Sequence, residues 1–388
     1  MRDKYGAIVI GGGYFGCAAA YHLAKAGVST LLLEAGEITR GASGANFGNV
    51  QVQDASMGLS LELTLKGWHR MEHMEEELGC DIGYAPQPSI IAAECPAHLP
   101  ELEKLYQEKK EAGLDIRWLE GEALRQAEPA FAPGSLVAAT WFEQGRIYPF
   151  HYMYALIRVG RRYGLEVAEH TPVASLLLEG GACTGVMLED GATVRADHVV
   201  VAAGSGARGL CATAGLDVPV YSVKAEAFVT EAVAPLFRTY YSSAAFFAEA
   251  HSQEGASTSL CVGQSHYGNI LLAETCKPHT SVEQAGQDRV SPEHCRNMYE
   301  KIAQFLPCIQ KVNLLRSWAT ASPYTDSCLP CLGKSSVPGL ILDAGFKSAA
   351  VMSAVAGEIV ADLVRKDSCQ YDLSEFIGQV KPLAKGEN

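Results

Sequence analysis

No apolar run in the chain approaches the length of a membrane span. Positive charge is scarce: 31 Lys and Arg stand against 44 Asp and Glu, a formal net charge of -13 at pH 7. That balance argues against nucleic acid, since phosphate binding wants a basic face, and against an anionic membrane surface. Room for a leader is also lacking. "MRDKYGAIVIGGG" enters a strand-like run almost at once, so no signal peptide is expected before the fold and the expected location is cytoplasmic. Clustered cysteine is the last scarcity. The twelve cysteines scatter from Cys17 to Cys369, mostly in apolar stretches such as "FGCAAAYHL" and "TSLCVG", as reduced, core-filling thiols do. The one close pair is Cys328 and Cys331, with Cys308 the nearest further candidate. A zinc or iron–sulfur site needs about four ligands. The pair therefore reads as two buried thiols, with a redox-active pair as the alternative, and no metal is expected.

What is present describes a globular chain of 388 residues, 48% hydrophobic and 19% charged. The length exceeds one simple core, so two substructures in one body are expected. "AIVIGGGYFGCAAAYHLAKAGVSTLLLEAG", from Ala7 to Gly36, carries the first functional signal. An apolar β-favouring run, a glycine turn, an alanine-rich helix and a second apolar run form a βαβ unit. Gly11 allows the turn, Gly13 lets a pyrophosphate approach the backbone, and Gly16 lets the helix pack close to the strand. The helix N-terminus offers free N–H groups and a positive dipole end to phosphate. Glu34, closing the second run, is placed to accept both ribose hydroxyls of an adenosine and to repel a 2′-phosphate. NAD and FAD remain open at this point. The next segment, "AGEITRGASGANFGNVQVQ", alternates small residues through Ser43, Gly44 and Gly48, and can press its backbone against a flat ring.

Residues 56–78 carry helical periodicity, and "DIRWLEGEALRQAEPAF" reads as a short strand and then a helix. "DHVVVAAGSGA" is a buried parallel strand running into a glycine turn at Gly204 and Gly206. "GLILDAGFKSAAVMSAVAGEIVADLV" is a third strand, glycine turn and helix. Three such units spread along the chain converge only in a discontinuous domain. With "RGASGANFGNV", "GRIYPFHYMYALIRVGRRYG" and "RSWATASPYTDSCLPCLG", these stretches resemble the FAD-dependent D-amino acid oxidase superfamily, which includes glycine and sarcosine oxidases and the catalytic subunits of proline, opine and D-amino acid dehydrogenases. The resemblance implies a discontinuous Rossmann-like FAD-binding domain (1–80, 147–218 and 323–388) and a second domain built on a mostly antiparallel sheet (81–146 and 219–322), an α/β plus α+β architecture. It implies pyrophosphate at Gly11, Gly13 and Gly16, and adenine ribose at Glu34. Ser43, Gly44, Asn46 and Gly48 would lie along the isoalloxazine. Val173 would meet adenine through its backbone, and Gly204 would close a turn near the cofactor. Gly345, Phe346, Lys347 and Ser348 would face the flavin's pyrimidine end, where donors stabilise the charge of reduction.

Three departures from the family pattern, at four positions, stand out. Ser322 stands where many relatives carry the arginine that pairs a substrate carboxylate. Ala349 and Ala350 stand where histidine and glycine are usual. Thr320 matches the cysteine that some sarcosine oxidases bond to flavin, so noncovalent FAD is expected. The expected chemistry is oxidation of the C–N bond of an amino acid or secondary amine: hydride passes to flavin N5 and the imine product is hydrolysed. That chemistry needs a water-poor pocket and an unprotonated amine. The alternative is a catalytic FAD subunit that passes electrons to partner subunits in a hetero-oligomer; a homo-oligomer is also open. Catalytic candidates are Lys347, beside the flavin turn, and His266 and Tyr267, with Tyr240 and Tyr241 behind them. The competing readings are a solvated loop lysine and two hairpin-turn residues. Lys347 is the first candidate to replace the missing carboxylate anchor, followed by Arg316, Lys224 and Arg146.

Overall fold

The computed structural model describes residues 2, 4–245, 259–277, 290 and 292–383. The chain packs as two units. Unit one comprises 1–84, 147–222 and 322–388, and unit two comprises 85–146 and 223–321. The junctions expected at 80 and 218 fall at 84 and 222, and the third falls one residue earlier, at 321 rather than 322. Ile82 belongs to unit one because its carbonyl accepts the Tyr148 amide at 2.8 Å, and Val218 and Val220 because both are buried in that unit's core.

Unit one is built on β1 (Lys4–Ile10), α1 (Tyr14–Lys25), β2 (Thr30–Leu33), α2 (Leu59–Leu78), α3 (Pro149–Arg162), β3 (Glu166–Ala168), β4 (Val173–Glu179), β5 (Ala182–Leu188), β6 (Thr193–Val201), β7 (Cys331–Lys334), β8 (Leu340–Ala344) and α4 (Ala349–Lys366). The sheet order is β7-β8-β6-β1-β2-β3, with the β4–β5 hairpin attached through β5 to β6. β8, β6, β1, β2 and β3 run parallel, with Ile10 opposite both Leu33 and Val201, and Val201 opposite Leu342. These strands are apolar almost without interruption because both faces are covered. Ala7, Val9, Leu32, Val200 and Ile341 share a core with α1, α2, α3 and α4. Tyr5, Ile8, Ile10, Leu33, Val199 and Val201 share the other with the β4–β5 hairpin and the helix Ala207–Ala212. The alanine-rich face of α1 lets α4 approach until a Cβ at Gly357 would stand 2.7 Å from the Ala18 carbonyl oxygen.

Unit two carries a sheet that is antiparallel in its measured registers except for one parallel pair, Tyr240–Ser243 beside Ala85–Ala93. Its core gathers Ile90, Trp141, Phe228, Tyr241, Val262 and Leu272 with Met298, Ile302 and Phe305 of the helix Pro292–Phe305.

Candidate functional site

In an open parallel sheet the crevice outside the carboxyl ends of the strands is where ligands bind. In unit one the ends of β8, β6, β1 and β2 lie side by side, and glycine turns leave three of them.

The first turn follows β1. Gly11 has φ +109°, and a Cβ there would stand 2.4 Å from the Ala202 carbonyl oxygen. A Cβ at Gly16 would stand 1.8 Å from the Gly11 carbonyl oxygen, so the helix can start where it does only with hydrogen at that position. α1 begins with Gly13 as N-cap and no side-chain cap. The Tyr14 amide donates to Ser43 Oγ at 3.0 Å. The amides of Gly13, Phe15 and Gly16 donate to no protein group among the described residues. A helix N-terminus with open amides is an anion site in waiting.

Glu34 is half-buried at the end of β2. Its Oε2 accepts the Gly12 amide at 2.6 Å and its Oε1 accepts the Gly36 amide at 2.7 Å. Its own amide donates to the Ala168 carbonyl at 3.0 Å, and its carbonyl accepts the Thr171 amide at 2.8 Å. The segment leading to Val173, which opens β4 opposite Leu188, therefore runs beside Glu34. In the loop after β2, a Cβ at Gly44 would stand 2.0 Å from the Thr39 carbonyl oxygen. Asn46 Oδ1 accepts the Gly48 amide at 2.7 Å, so this exposed side chain shapes its own loop.

The second turn opens at Gly204, φ +53°, after β6. The third follows β8. Gly345 has φ +77°, and a Cβ there would stand 2.8 Å from Thr325 Cγ2. Phe346 is buried and stacks on Phe15, with ring centroids 3.7 Å apart and planes 15° from parallel, so the first and third turns touch. Lys347 is no solvated loop lysine: its side chain is 14% exposed. Its Nζ donates to the Asp54 carbonyl at 2.9 Å and lies 3.9 Å from Asp54 Oδ2. Ser348 Oγ donates to Asp54 Oδ1 at 3.4 Å and caps no amide of α4. Two residues before Gly345, Asp343 is buried, neither carboxyl oxygen has a hydrogen-bond partner among the described residues, and burial pushes its pKa up to about 8.

The other catalytic and anchor candidates belong to unit two. His266 and Tyr267 are exposed at the turn of the hairpin joining Ser259–Gln264 to Asn269–Lys277, their rings 3.8 Å apart. That is the geometry of hairpin-turn residues. Tyr240 and Tyr241 are buried, and the Tyr241 hydroxyl donates to Glu94. Lys224 is tied to Glu226 at 2.7 Å. Arg316 is exposed, and Arg146 is half-buried, its pKa lowered by desolvation. Thr320 and Ser322 are half-buried on the strand Leu314–Thr325. Cys331 is buried, which pushes its thiol up to about 12, and Cys328 is a free thiol in a left-handed turn. Among the described residues no cluster of His, Cys, Asp and Glu is arranged to hold a metal ion, and no helix is long and apolar enough to cross a membrane. Sequence reading missed Asp54, Gly36 and Phe15 as partners of the turns. Their signals lie in contacts, and only Gly36 is close in sequence to the residue it serves.

The family model described as FAD dependent oxidoreductase matches residues 7–363. The chain is 29% identical over 387 residues to a glycine oxidase of Geobacillus kaustophilus, covering 97% of each chain. It is 24% identical to the sarcosine oxidase subunit beta of an Arthrobacter species, covering 89% of this chain and 83% of that one. The crystal structure of glycine oxidase from Geobacillus kaustophilus superimposes with a TM-score of 0.86 and 26% identity, covering 100% of both chains.

Proposed function

This chain belongs to the FAD-dependent oxidoreductase family, and from that premise we propose that it oxidises the C–N bond of an amino acid or amine with FAD held noncovalently in unit one. The observation that carries the reading is the set of three glycine turns on adjacent parallel strand ends, closed by the Phe15–Phe346 stack. The residues fit the cofactor. The open amides of Gly13, Phe15 and Gly16, with Gly11 shaping the turn, would hold the pyrophosphate. Glu34 would accept the adenosine ribose hydroxyls with the lone pairs that Gly12 and Gly36 leave. The Val173 backbone would meet adenine. Ser43, Gly44, Asn46 and Gly48 would line the ring system. Gly204 would close the middle of the crevice, and the backbone of Gly345, Phe346, Lys347 and Ser348 would face the pyrimidine end.

FAD, when bound, supplies the acceptor for the hydride that leaves the substrate carbon. The protein's task is to present that carbon with its amine unprotonated and with water excluded. The C–H bond breaks, the nitrogen lone pair forms C=N, and water then hydrolyses the imine to a carbonyl compound and an amine. A substrate carboxylate entering a dry site must be paired. With Ser322 at the usual anchor position, Lys347 takes that role, its ammonium already held beside the third turn.

The test is an anaerobic screen of the purified holoprotein with D- and L-amino acids, N-methyl amino acids, proline, hydroxyproline and opines. At least one is expected to bleach the visible flavin absorbance. A flavin-loaded protein that no member bleaches ends this reading. A second reading, a catalytic subunit passing electrons to partner chains, is favoured by the likeness to a protein named as a sarcosine oxidase subunit. Substrate-reduced enzyme that reoxidises slowly in oxygen and rapidly with an artificial acceptor would support it, and fast peroxide formation would exclude it.

A further inference from the structure

Asp343 is a buried carboxyl that the proposed reaction does not use. It is 1% exposed, and neither oxygen has a hydrogen-bond partner among the described residues. On β8 the side chains of Leu340, Leu342 and Ala344 line one core, and Ile341 lines the other with α1 and α4. Strand alternation puts Asp343 on the Ile341 side, and its cross-strand partner Leu332 is buried in that same core. The register fixes its height. Leu342 stands opposite Val201, and Val201 opposite Ile10, so Asp343 lies level with Ala202 and Gly11, where β6 and β1 give way to their turns. Two strand spacings put its backbone about 10 Å from that of Gly11, and two residues of extended chain put it within about 7 Å of Gly345. The carboxyl thus lies on the helix side of the sheet, at the level from which the first and third turns leave.

Among the described residues no cation compensates it. β6 brings Asp197 and His198 and β7 brings Lys334 toward the other end of the strands, where Lys4 holds Asp197 at 2.6 Å and Asp367 holds Lys334. The Cys331 thiol of β7 is buried in the opposite core. On α1, Tyr21 and Lys25 close on Glu77, Tyr14 packs beside Tyr152, His22 faces Gly357, and Cys17 is a buried thiol. On α4, Glu358 meets Arg70 and Asp362 meets Lys366, while Arg365 is exposed. In the turn itself the Lys347 ammonium goes to the Asp54 carbonyl at 2.9 Å. Burial is the cause of the raised Asp343 pKa, and no neighbouring charge of either sign adds to it. Resting on the placement of FAD given above, we propose that Asp343 couples flavin retention to pH: protonated, it leaves neutral ground beneath the cofactor, and ionised, it repels the pyrophosphate and loosens FAD. Without cofactor the folded chain holds this proton below about pH 8, and a bound pyrophosphate raises that value by like-charge repulsion. Between the two values the bound form keeps a proton that the free form has lost. Affinity therefore falls as pH rises, by up to about tenfold per pH unit. Two unit charges about 10 Å apart in a protein interior repel by enough to change binding on the order of tenfold, which sets the size of the whole effect.

The test reads release of FAD, not turnover. Purified holoprotein is diluted to dissociation equilibrium at a series of pH values from 6.5 to 9.5 and one ionic strength, and free flavin is read by its fluorescence. The wild type is expected to hold FAD with constant affinity between pH 6.5 and 7.5 and to lose about tenfold by pH 9.5. Asp343→Asn keeps the shape and cannot ionise, so its affinity is expected to change by less than about threefold over the whole range. Asp343→Ala carries the same expectation and replaces it where the buried amide does not fold. A purely structural role for Asp343 would shift the variant's affinity by one factor at every pH and leave its profile as steep as that of the wild type, and that result overturns the proposal. A wild-type affinity that stays flat to pH 9.5 overturns it without any variant, while FAD binding itself, and with it the placement, stands. A chain that retains no FAD at any pH fails the placement instead, and the proposal with it.

Discussion

The first and third turns of unit one leave β1 and β8, the two strands that flank β6, and solve the same problem with opposite materials. After β1 the groups that face outward are backbone amides, and the carboxylate at the turn, Glu34, is fastened by two amides at 2.6 and 2.7 Å. After β8 the charge belongs to a side chain, Lys347, which donates to the Asp54 main-chain carbonyl at 2.9 Å, while the Asp54 carboxylate lies 3.9 Å away and accepts from the Ser348 hydroxyl. A backbone site is fixed by the fold and tolerates no added atom. A side-chain site is adjustable by single substitutions that leave the fold alone. The constant ligand belongs at the first kind and the variable one at the second.

Substitutions that exchange these properties test the contrast. The broadest effect, on stability and flavin retention together, is expected at the backbone turn. Gly16→Ala puts a Cβ 1.8 Å from the Gly11 carbonyl oxygen, so it should cost about 3 kcal/mol of stability, at the upper end of overpacking, and abolish flavin retention; urea unfolding and flavin content measure both. A protein that keeps its flavin would show the turn to be as adjustable as the third. Next is Lys347→Met, which removes one partner of a largely buried pair. Anaerobic flavin reduction by the best substrate should fall at least about a hundredfold, from about 3–5 kcal/mol, with flavin content unchanged. A loss under about threefold would return Lys347 to a packing role. Glu34→Gln removes the charge but keeps the shape. It should weaken FAD about tenfold or more, since a hydrogen bond to a charged group is worth about 1.5–3 kcal/mol, as equilibrium flavin titration of the apoprotein would show.

A pH-dependent effect concerns Asp343, at the foot of the third turn. Its pKa in the folded chain is about 8, against about 3.9 unfolded, because burial disfavours its charge. A raised carboxyl pKa contributes stability that is complete below pH 4 and is lost as pH climbs toward 8. Through that window the unfolding free energy should fall by up to about 1.4 kcal/mol per pH unit from this group. Asp343→Asn should flatten the profile between pH 5 and 8 in urea titrations. An unchanged slope would mean that the carboxyl finds a partner in solution.

The sequence made the first turn legible because strand, turn, helix and terminal acid lie within 30 residues and every contact among Gly11, Gly16 and Glu34 is local. The third turn was legible as backbone and illegible as charge. Nothing near Lys347 in sequence announces Asp54, which reaches it across 293 positions. Asp343 was hidden in the same way: "LILDAG" reads as a buried parallel strand, and the pattern carries no sign that the one carboxylate among its apolar neighbours goes inside with them. His266 and Tyr267 show the reverse: their place in the fold was legible. Residue type suggested chemistry, while the hairpin that holds them was already implied by the apolar runs on either side.

The strand order has a consequence in time. β1 takes its parallel neighbours from residues 30–33 and 193–201, and the helix against α1 comes from residues 349–366. A ribosome adding about 5–20 residues per second leaves roughly 15 to 60 s between the completion of β2 and that of β8. Throughout that interval the glycine turn after β1 exists without Phe346 against Phe15. The nucleotide crevice is therefore a late product of synthesis. The Phe15–Phe346 stack that closes it can form only once residue 346 has been made.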